Sequence, residues 1–322
     1  MLFLNSEEIA RLADRRELIA AAEAAFRIQA SGDFQMPVRT QAECKGKTLL
    51  AMPCFTDSCF GTKLVSIVPE NLQKELPPLF GIVVLNDGGT GEPLAMLNGA
   101  KITALRTAAA GALSIRYLAA TAASNLGVVG AGVQGYNQIL FACSVRPFTD
   151  VHLYDHNEKA LHALGEKLAA ELPGVAITCG ESARAVLRQS EVVITATNSE
   201  RPLFPNDRTL FQNRHFVGIG SYKPEMREYP EALFRNLKYL FLDTEHALQE
   251  TGDVITPLAR GWIAEKQIMP FNRVISGGIV AVANEHNVTF FKSVGMALLD
   301  VVVADFIYNK AREKGCGLEI NL

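Results

Sequence analysis

No two cysteines form a C-x-x-C pair; the six present are scattered at positions 44, 54, 59, 143, 179 and 316. That dispersal argues against disulfide staples and against a zinc site, and it fits a chain kept reduced in the cytoplasm. No apolar stretch approaches the ~20 residues a membrane helix needs; the longest runs are of the kind seen at 279–283. Glu7 and Glu8 stand where a secretory leader would have a basic start and an unbroken apolar run, so no leader is expected. Excess charge is missing too. With a net charge of −3 and dispersed Lys and Arg, nothing offers general attraction for nucleic acid or an anionic membrane. No repeat, low-complexity tract or Pro/Gly-rich linker marks a boundary.

What is present describes a globular chain: 322 residues, 48% hydrophobic and 20% charged. A single core stops growing near ~250–300 residues, so one large domain or two ordinary ones are expected. Leu2–Leu4 reads as a strand, and Asn5 with Glu8 has the form of a capping box for a helix over 6–30 that stops at Gly32. From Thr48 to Leu97 the texture is short β-rich runs at Leu49–Met52, Lys63–Val68, Ile82–Leu85 and Leu94–Leu97. The hairpin loop Asn86–Gly91 is the clearest turn among them. This third reads as a mainly antiparallel sheet with flanking helices. Ile102–Ala123, rich in Ala, Thr and Gly, reads as a buried connecting helix. Strands then alternate with helices: Leu126–Gly130, Val151–Asp155, Val175–Cys179, Val192–Thr197, Phe216–Gly220 and Tyr239–Asp243. That alternation predicts a doubly wound parallel sheet. The fold class is therefore α/β. A Rossmann-type domain is expected over 116–295, beside a smaller α+β substrate and dimerisation domain over 1–115, to which a last helix near 294–314 returns within 296–322.

Gly130-Ala131-Gly132-Val133-Gln134-Gly135 is a G-x-G-x-x-G string. Alone it is a weak signal; following a buried strand and opening a helix, it becomes a strong one. Gly130 permits the tight turn, Gly132 lets the backbone approach a pyrophosphate, and Gly135 allows close helix–strand packing. The helix amino end, at Val133 and Gln134, supplies unpaired N–H groups to the diphosphate. Asp155 ends the next strand, where a carboxylate can accept both ribose hydroxyls and repel a 2′-phosphate. The cofactor is read as NAD; NADP stays open because the preference rests on Asp155 alone. Ligands in such sheets lie beyond the strand carboxyl ends, so Thr197, Gly220 and Ser221 are candidate cofactor neighbours.

Further strings occur in a familiar order: Pro37-Val38-Arg39, Met52-Pro53, Gly61-Thr62-Lys63 and Ile102 to Thr107. They continue with Gly220-Ser221 through Arg227-Glu228, Gly252-Asp253-Val254 and Thr289 to Gly295. Over nearly its whole length the chain resembles the ornithine cyclodeaminase/mu-crystallin family. The resemblance implies that Arg39, Lys63 and Arg106 hold a substrate carboxylate, that Ser293 touches the nicotinamide, and that the protein is a homodimer paired through the first domain's sheet. An unpaired edge from Thr48–Leu97 is the expected contact. An arginine fork can clamp a carboxylate and fix its α-carbon against a nicotinamide. Lys63 is the expected catalytic proton-transfer residue, provided burial, Arg39 and Arg106 lower its pKa toward roughly 7–8. Solvated positions are the competing readings for Arg39 and Lys63. Arg106, inside a small-residue helix, must be paired or functional. His215 and His246 read as structural, and Asp253 as functional or as a turn residue.

In cyclodeaminating members an aspartate follows the Gly-Ser-like pair; here Tyr222 stands there, which counts against ornithine cyclisation. Pro78 also stands where family members often carry Thr. The leading expectation is alanine dehydrogenase-like oxidation at the α-carbon of a small L-amino acid, giving a 2-oxo acid and ammonia. The alternative is the reverse sense on a cyclic imine, a ketimine or Δ1-pyrroline-2-carboxylate reductase. A non-catalytic binding protein is the expectation of another class.

Overall fold

The computed structural model describes residues 1–279 and 287–321, so most of the apolar run at 279–283 lies outside the described residues. The chain forms two compact units, Met1–Arg106 together with the segment from Met296 onward, and Thr107–Gly295. The division falls inside the helix Gly99–Leu118, between Arg106 and Thr107.

The first unit begins with strand β1 (Leu2–Leu4) and helices α1 (Ser6–Leu12) and α2 (Arg15–Ser31). The capping box forms: Asn5 Oδ1 accepts from the backbone N–H of Glu7 and Glu8, and Glu8 accepts from Asn5. One helix over 6–30 was expected, but Asp14 caps a second start by accepting from Arg16 and Glu17 N–H. A side chain that binds the backbone just ahead of it competes with helix continuation. Gly32 ends α2 in the left-handed region, at φ 85°. Strands β2 (Phe34–Gln35), β3 (Thr40–Cys44), β4 (Lys47–Thr56), β5 (Cys59–Ile67), β6 (Leu79–Asp87) and β7 (Pro93–Asn98) follow, then helix α3 (Gly99–Leu118). Alternation along β5 turns Cys59, Gly61, Lys63 and Val65 to the buried face.

The second unit holds β8 (Asn125–Val129), α4 (Val133–Val145), β9 (Asp150–Tyr154), α5 (Glu158–Glu171), β10 (Ala176–Cys179), α6 (Ala183–Gln189) and β11 (Val192–Thr195). After them come β12 (His215–Gly218), β13 (Leu237–Leu242), α7 (Gly252–Ala259), β14 (Ile268–Pro270) and β15 (Val288–Lys292). All pair in parallel, in the order β10-β9-β8-β11-β12-β15-β13-β14. The strand order reverses between β8 and β11, the switch point at which this fold class binds dinucleotides. Its core includes Phe204, Phe211, Phe216, Tyr229, Phe234 and Phe290.

Helix α8 (Ala297–Lys314) and strand β16 (Leu318–Glu319) return to the first unit. Its sheet runs β16-β1-β7-β6-β5-β4-β2, with β3 also on β4. Only β1 and β7 are parallel. Helix α8 lies over β4, β5 and β6, and Lys310 pairs with Glu17 of α2 at 2.6 Å. The approach to β5 is close: a Cβ on Gly61 would lie 2.5 Å from the Val84 carbonyl oxygen and 3.4 Å from Val301 Cγ2. The expected free edge within Thr48–Leu97 is not there, since these strands are interior and paired on both flanks. What they leave open is a face. Leu49, Phe55 and Phe80 are 52%, 46% and 48% exposed, and Phe55 stacks on Phe60 with centroids 4.9 Å apart. Among the described residues no helix is long and apolar enough to cross a membrane, and all six cysteines are free.

Candidate functional site

Lys63, Arg106 and Arg39 all belong to the first unit. Strand β5 presents Lys63 on its buried face, α3 presents Arg106, and α8 brings a residue not anticipated, Asp300. The Lys63 Nζ lies 2.7 Å from Asp300 Oδ2, and Arg106 Nε donates to Asp300 Oδ1 at 2.9 Å. Lys63 is 3% exposed, Arg106 4% and Asp300 0%. Buried charges survive only when paired, and here one carboxylate serves two cations. The balance is incomplete. Arg106 Nη1 is buried without a hydrogen-bond acceptor among the described residues, and a donor left so costs about 1–3 kcal/mol. The arrangement therefore calls for a further acceptor, and the excess of positive charge calls for an anionic one. Arg39, half-buried between β2 and β3, is near enough for its charge to act on Lys63. Burial pulls the Lys63 ammonium down from its ordinary 10.5 to about 8; Asp300 opposes that, while Arg106 and Arg39 add to it.

The glycine string lies in the second unit, between β8 and α4. Gly130 has φ 115°, a conformation that a side chain would strain, and a Cβ there would meet the Ala196 carbonyl oxygen at 2.5 Å. A Cβ on Gly135 would collide with the Gly130 carbonyl oxygen. Gly132 differs: its φ of −84° suits any residue, and a Cβ would meet nothing within 4 Å. Gly132 is also the N-cap of α4, with no side-chain hydrogen bond to the helix end, and Val133 is exposed beside it. Gln134 Oε1 is buried without a partner among the described residues. Open space over a bare helix amino end fits a diphosphate. At the end of β9, Asp155 accepts from Ala131 N–H at 2.7 Å and from Asn157 N–H at 2.8 Å. Its carboxylate is thus fixed beside the glycine loop. These residues fit an NAD-type dinucleotide.

At the carboxyl ends of β11 and β12, Thr197, Gly220 and Ser221 are drawn together by Glu228, which the sequence did not single out. The buried Glu228 carboxylate accepts from the Thr195 and Thr197 hydroxyls and from the backbone N–H groups of Thr197, Gly220 and Ser221. Ser221 donates its hydroxyl to the Met226 carbonyl at 2.6 Å, and Ser293 donates to Asp243 at 2.6 Å. Both side chains therefore shape their loops. Asp253, in the first turn of α7, accepts the N–H groups of Glu228 and Tyr229 and so ties that helix to the loop before them. His215 lies buried between Ser114 and Thr289, its pKa pushed down to about 3 by burial, so it is neutral and structural. His246 precedes a four-residue helix, Ala247–Glu250. Tyr222 is half-buried in the loop after β12.

Residues 1–315 match the ornithine cyclodeaminase/mu-crystallin family. The chain is 31% identical over 328 residues to a Δ1-pyrroline-2-carboxylate reductase of Bacillus cereus, covering 99% of each chain. The Δ1-pyrroline-2-carboxylate reductase of Thermococcus litoralis, solved in complex with NADH and L-proline, superposes with a TM-score of 0.94. It is 33% identical, and the match covers 99% of this chain and 100% of that one. An archaeal alanine dehydrogenase dimer with bound NAD superposes at 0.93 with 29% identity, over 100% and 99% of the two chains.

Proposed function

Because the chain belongs to the ornithine cyclodeaminase/mu-crystallin family, we propose that it is an NAD-dependent oxidoreductase reducing the carbon–nitrogen double bond of a small α-imino acid. The observation that carries this reading is the open Nη1 of buried Arg106 beside Lys63. Arg106, with Arg39, binds the substrate carboxylate. Lys63, as its ammonium, gives a proton to the imine nitrogen. Gly130, Gly132, Val133, Gln134, Gly135 and Asp155 hold the dinucleotide, and Thr197, Gly220, Ser221 and Ser293 line the approach to its nicotinamide end. The cofactor, when bound as NADH, supplies the hydride that the α-carbon takes up. The Lys63 proton completes the amine, and solvent restores the ammonium.

Likeness to two Δ1-pyrroline-2-carboxylate reductases favours a cyclic imino acid such as 1-pyrroline-2-carboxylate. Likeness to an alanine dehydrogenase favours a second substrate, the imine formed from a 2-oxo acid and ammonia. Steady-state assays with NADH separate them: 1-pyrroline-2-carboxylate is expected to be the better substrate, and pyruvate plus ammonia the poorer. Absence of turnover with both would defeat the proposal. NADH is expected to outperform NADPH, since Asp155 would face a 2′-phosphate of like charge. Reduction requires protonated Lys63, so kcat/KM is expected to be full well below pH 8 and to decline as pH rises through about 8. The oxidative direction needs the free amine and rises over the same range.

The first unit's open sheet face suits a second copy of this chain. Exposed Leu49, Phe55 and Phe80 form a patch of the kind monomers rarely leave to water, and the similar alanine dehydrogenase is a dimer. A homodimeric mass by light scattering is expected, and Phe55→Lys should shift it toward the monomer. A monomeric wild-type protein would remove this part of the reading.

A further inference from the structure

We propose that Asp300 is the positioning residue of the basic cluster: its single buried carboxylate holds the Lys63 ammonium and the Arg106 guanidinium side by side and sets how tightly Lys63 keeps its proton. The inference rests on the reading of Lys63 and Arg106 as the substrate-holding cations, and it adds to that reading a group that never touches substrate.

Three elements converge on it. Helix α8 carries Asp300 over β5, where Oδ2 meets Lys63 Nζ at 2.7 Å; on α3, Arg106 Nε donates to Oδ1 at 2.9 Å. The way Asp300 uses Arg106 matters. A carboxylate that took both terminal nitrogens would occupy one of the two-pronged edges with which a guanidinium grips carboxylates. Asp300 instead takes Nε, and Nη1 is left open. The same carboxylate thus orients the guanidinium while leaving its outer edge to a second anion.

The charge effect follows from who surrounds Lys63. Burial lowers its proton affinity most, and Arg106 on α3 and Arg39 between β2 and β3 lower it further. Asp300 on α8 is the group that raises it. On the β4 side of Asp300, the Cys54 thiol is pushed up to about 12 by burial, then by Cys59 and Asp300, so it stays neutral at working pH. Without the carboxylate, every remaining influence on Lys63 favours proton loss. The lysine would then give up its proton at lower pH, leaving less of it able to donate near neutrality.

The test uses the full chain labelled with 13Cε-lysine, the Lys63 resonance being assigned by its loss in Lys63→Arg. In ligand-free protein, Asp300→Asn is expected to lower the Lys63 midpoint by about one pH unit or more. The pH limb of kcat/KM for 1-pyrroline-2-carboxylate should move with it. Asp300→Glu keeps the charge but displaces it, so its midpoint should stay within about half a unit of wild type while kcat/KM falls tenfold or more. An Asn variant with an unmoved or raised midpoint overturns the proposal. Should the Asn variant not fold, a Glu variant with undiminished kcat/KM overturns it instead. The two readings fail differently. If the substrate reading is wrong, wild type does not turn over the imino acid while the Lys63 midpoint still responds to Asp300. If the Asp300 inference is wrong, turnover persists and the midpoint does not move.

Discussion

Lys63→Met is expected to lower kcat/KM for imine reduction by about 10²–10⁴-fold, the usual worth of a positioned acid–base group, while NADH still binds. Methionine replaces the ammonium by an apolar chain of similar length, so β5 keeps a buried side chain on that face. Asp300 keeps Arg106 as its partner at 2.9 Å, which spares the variant an unpaired buried charge. On the proposed reading NADH binding draws on the other unit's glycine loop and Asp155, so fluorescence titration should give a wild-type Kd. Two results would count against the assignment: turnover within tenfold of wild type, or loss of NADH binding together with activity. A protein that merely carries ligands has no turnover to lose, so the same variant separates an enzyme from a binding protein.

The glycine loop yields the other large effect, as a contrast between neighbours. Gly135→Ala places a methyl against the Gly130 carbonyl oxygen. The methyl is fixed rigidly to the main chain and the oxygen belongs to it, so relief requires moving α4 away from β8, and overpacking of this kind costs about 1–3 kcal/mol. NADH affinity should fall by about 100-fold or more, because the helix end proposed to face the diphosphate moves with α4. Gly132→Ala meets no protein atom within 4 Å and adopts an ordinary φ of −84°. Its unfolding temperature should stay within about 2 °C of wild type, since no contact or backbone strain changes. Yet its methyl enters the space a pyrophosphate needs, so NADH binding should still weaken. If Gly132→Ala bound NADH as wild type does, the loop would not be cradling a diphosphate.

The central strands of the parallel sheet are readable because they are apolar runs buried on both sides, as in Val192–Thr195, whereas β9 and β10 toward its edge are only part-buried. Strand β15 escaped. Its residues Thr289–Lys292 were read as a family string, and nothing in a late, short segment announces that it inserts between β12 and β13. Strand β3 escaped for another reason: Thr40–Cys44 is exposed throughout, so it has no buried alternation to detect. Lys63 carries a signal of burial in its own sequence. Period-two spacing puts it on one face with Gly61 and Val65, which should have weakened the solvated reading. Asp300 was legible only as an acid inside an otherwise apolar stretch, Ala297 to Ala304. Its partners lie far away in the chain, on β5 and α3, and pairing at that distance leaves no local pattern. Glu228 was hidden the same way, its role being written in the loops it gathers rather than in its neighbours.

Gly61 ties these observations to a residue with no chemistry of its own. Position 61 faces both a strand and a helix: a methyl there would lie 2.5 Å from the Val84 carbonyl oxygen of β6 and 3.4 Å from Val301 Cγ2 of α8. Asp300 is the residue before Val301, so whatever lifts the helix there lifts the carboxylate from both cations. Variants built to widen or reshape the substrate's surroundings must therefore treat this bare stretch of backbone as immovable, although no reactant ever meets it.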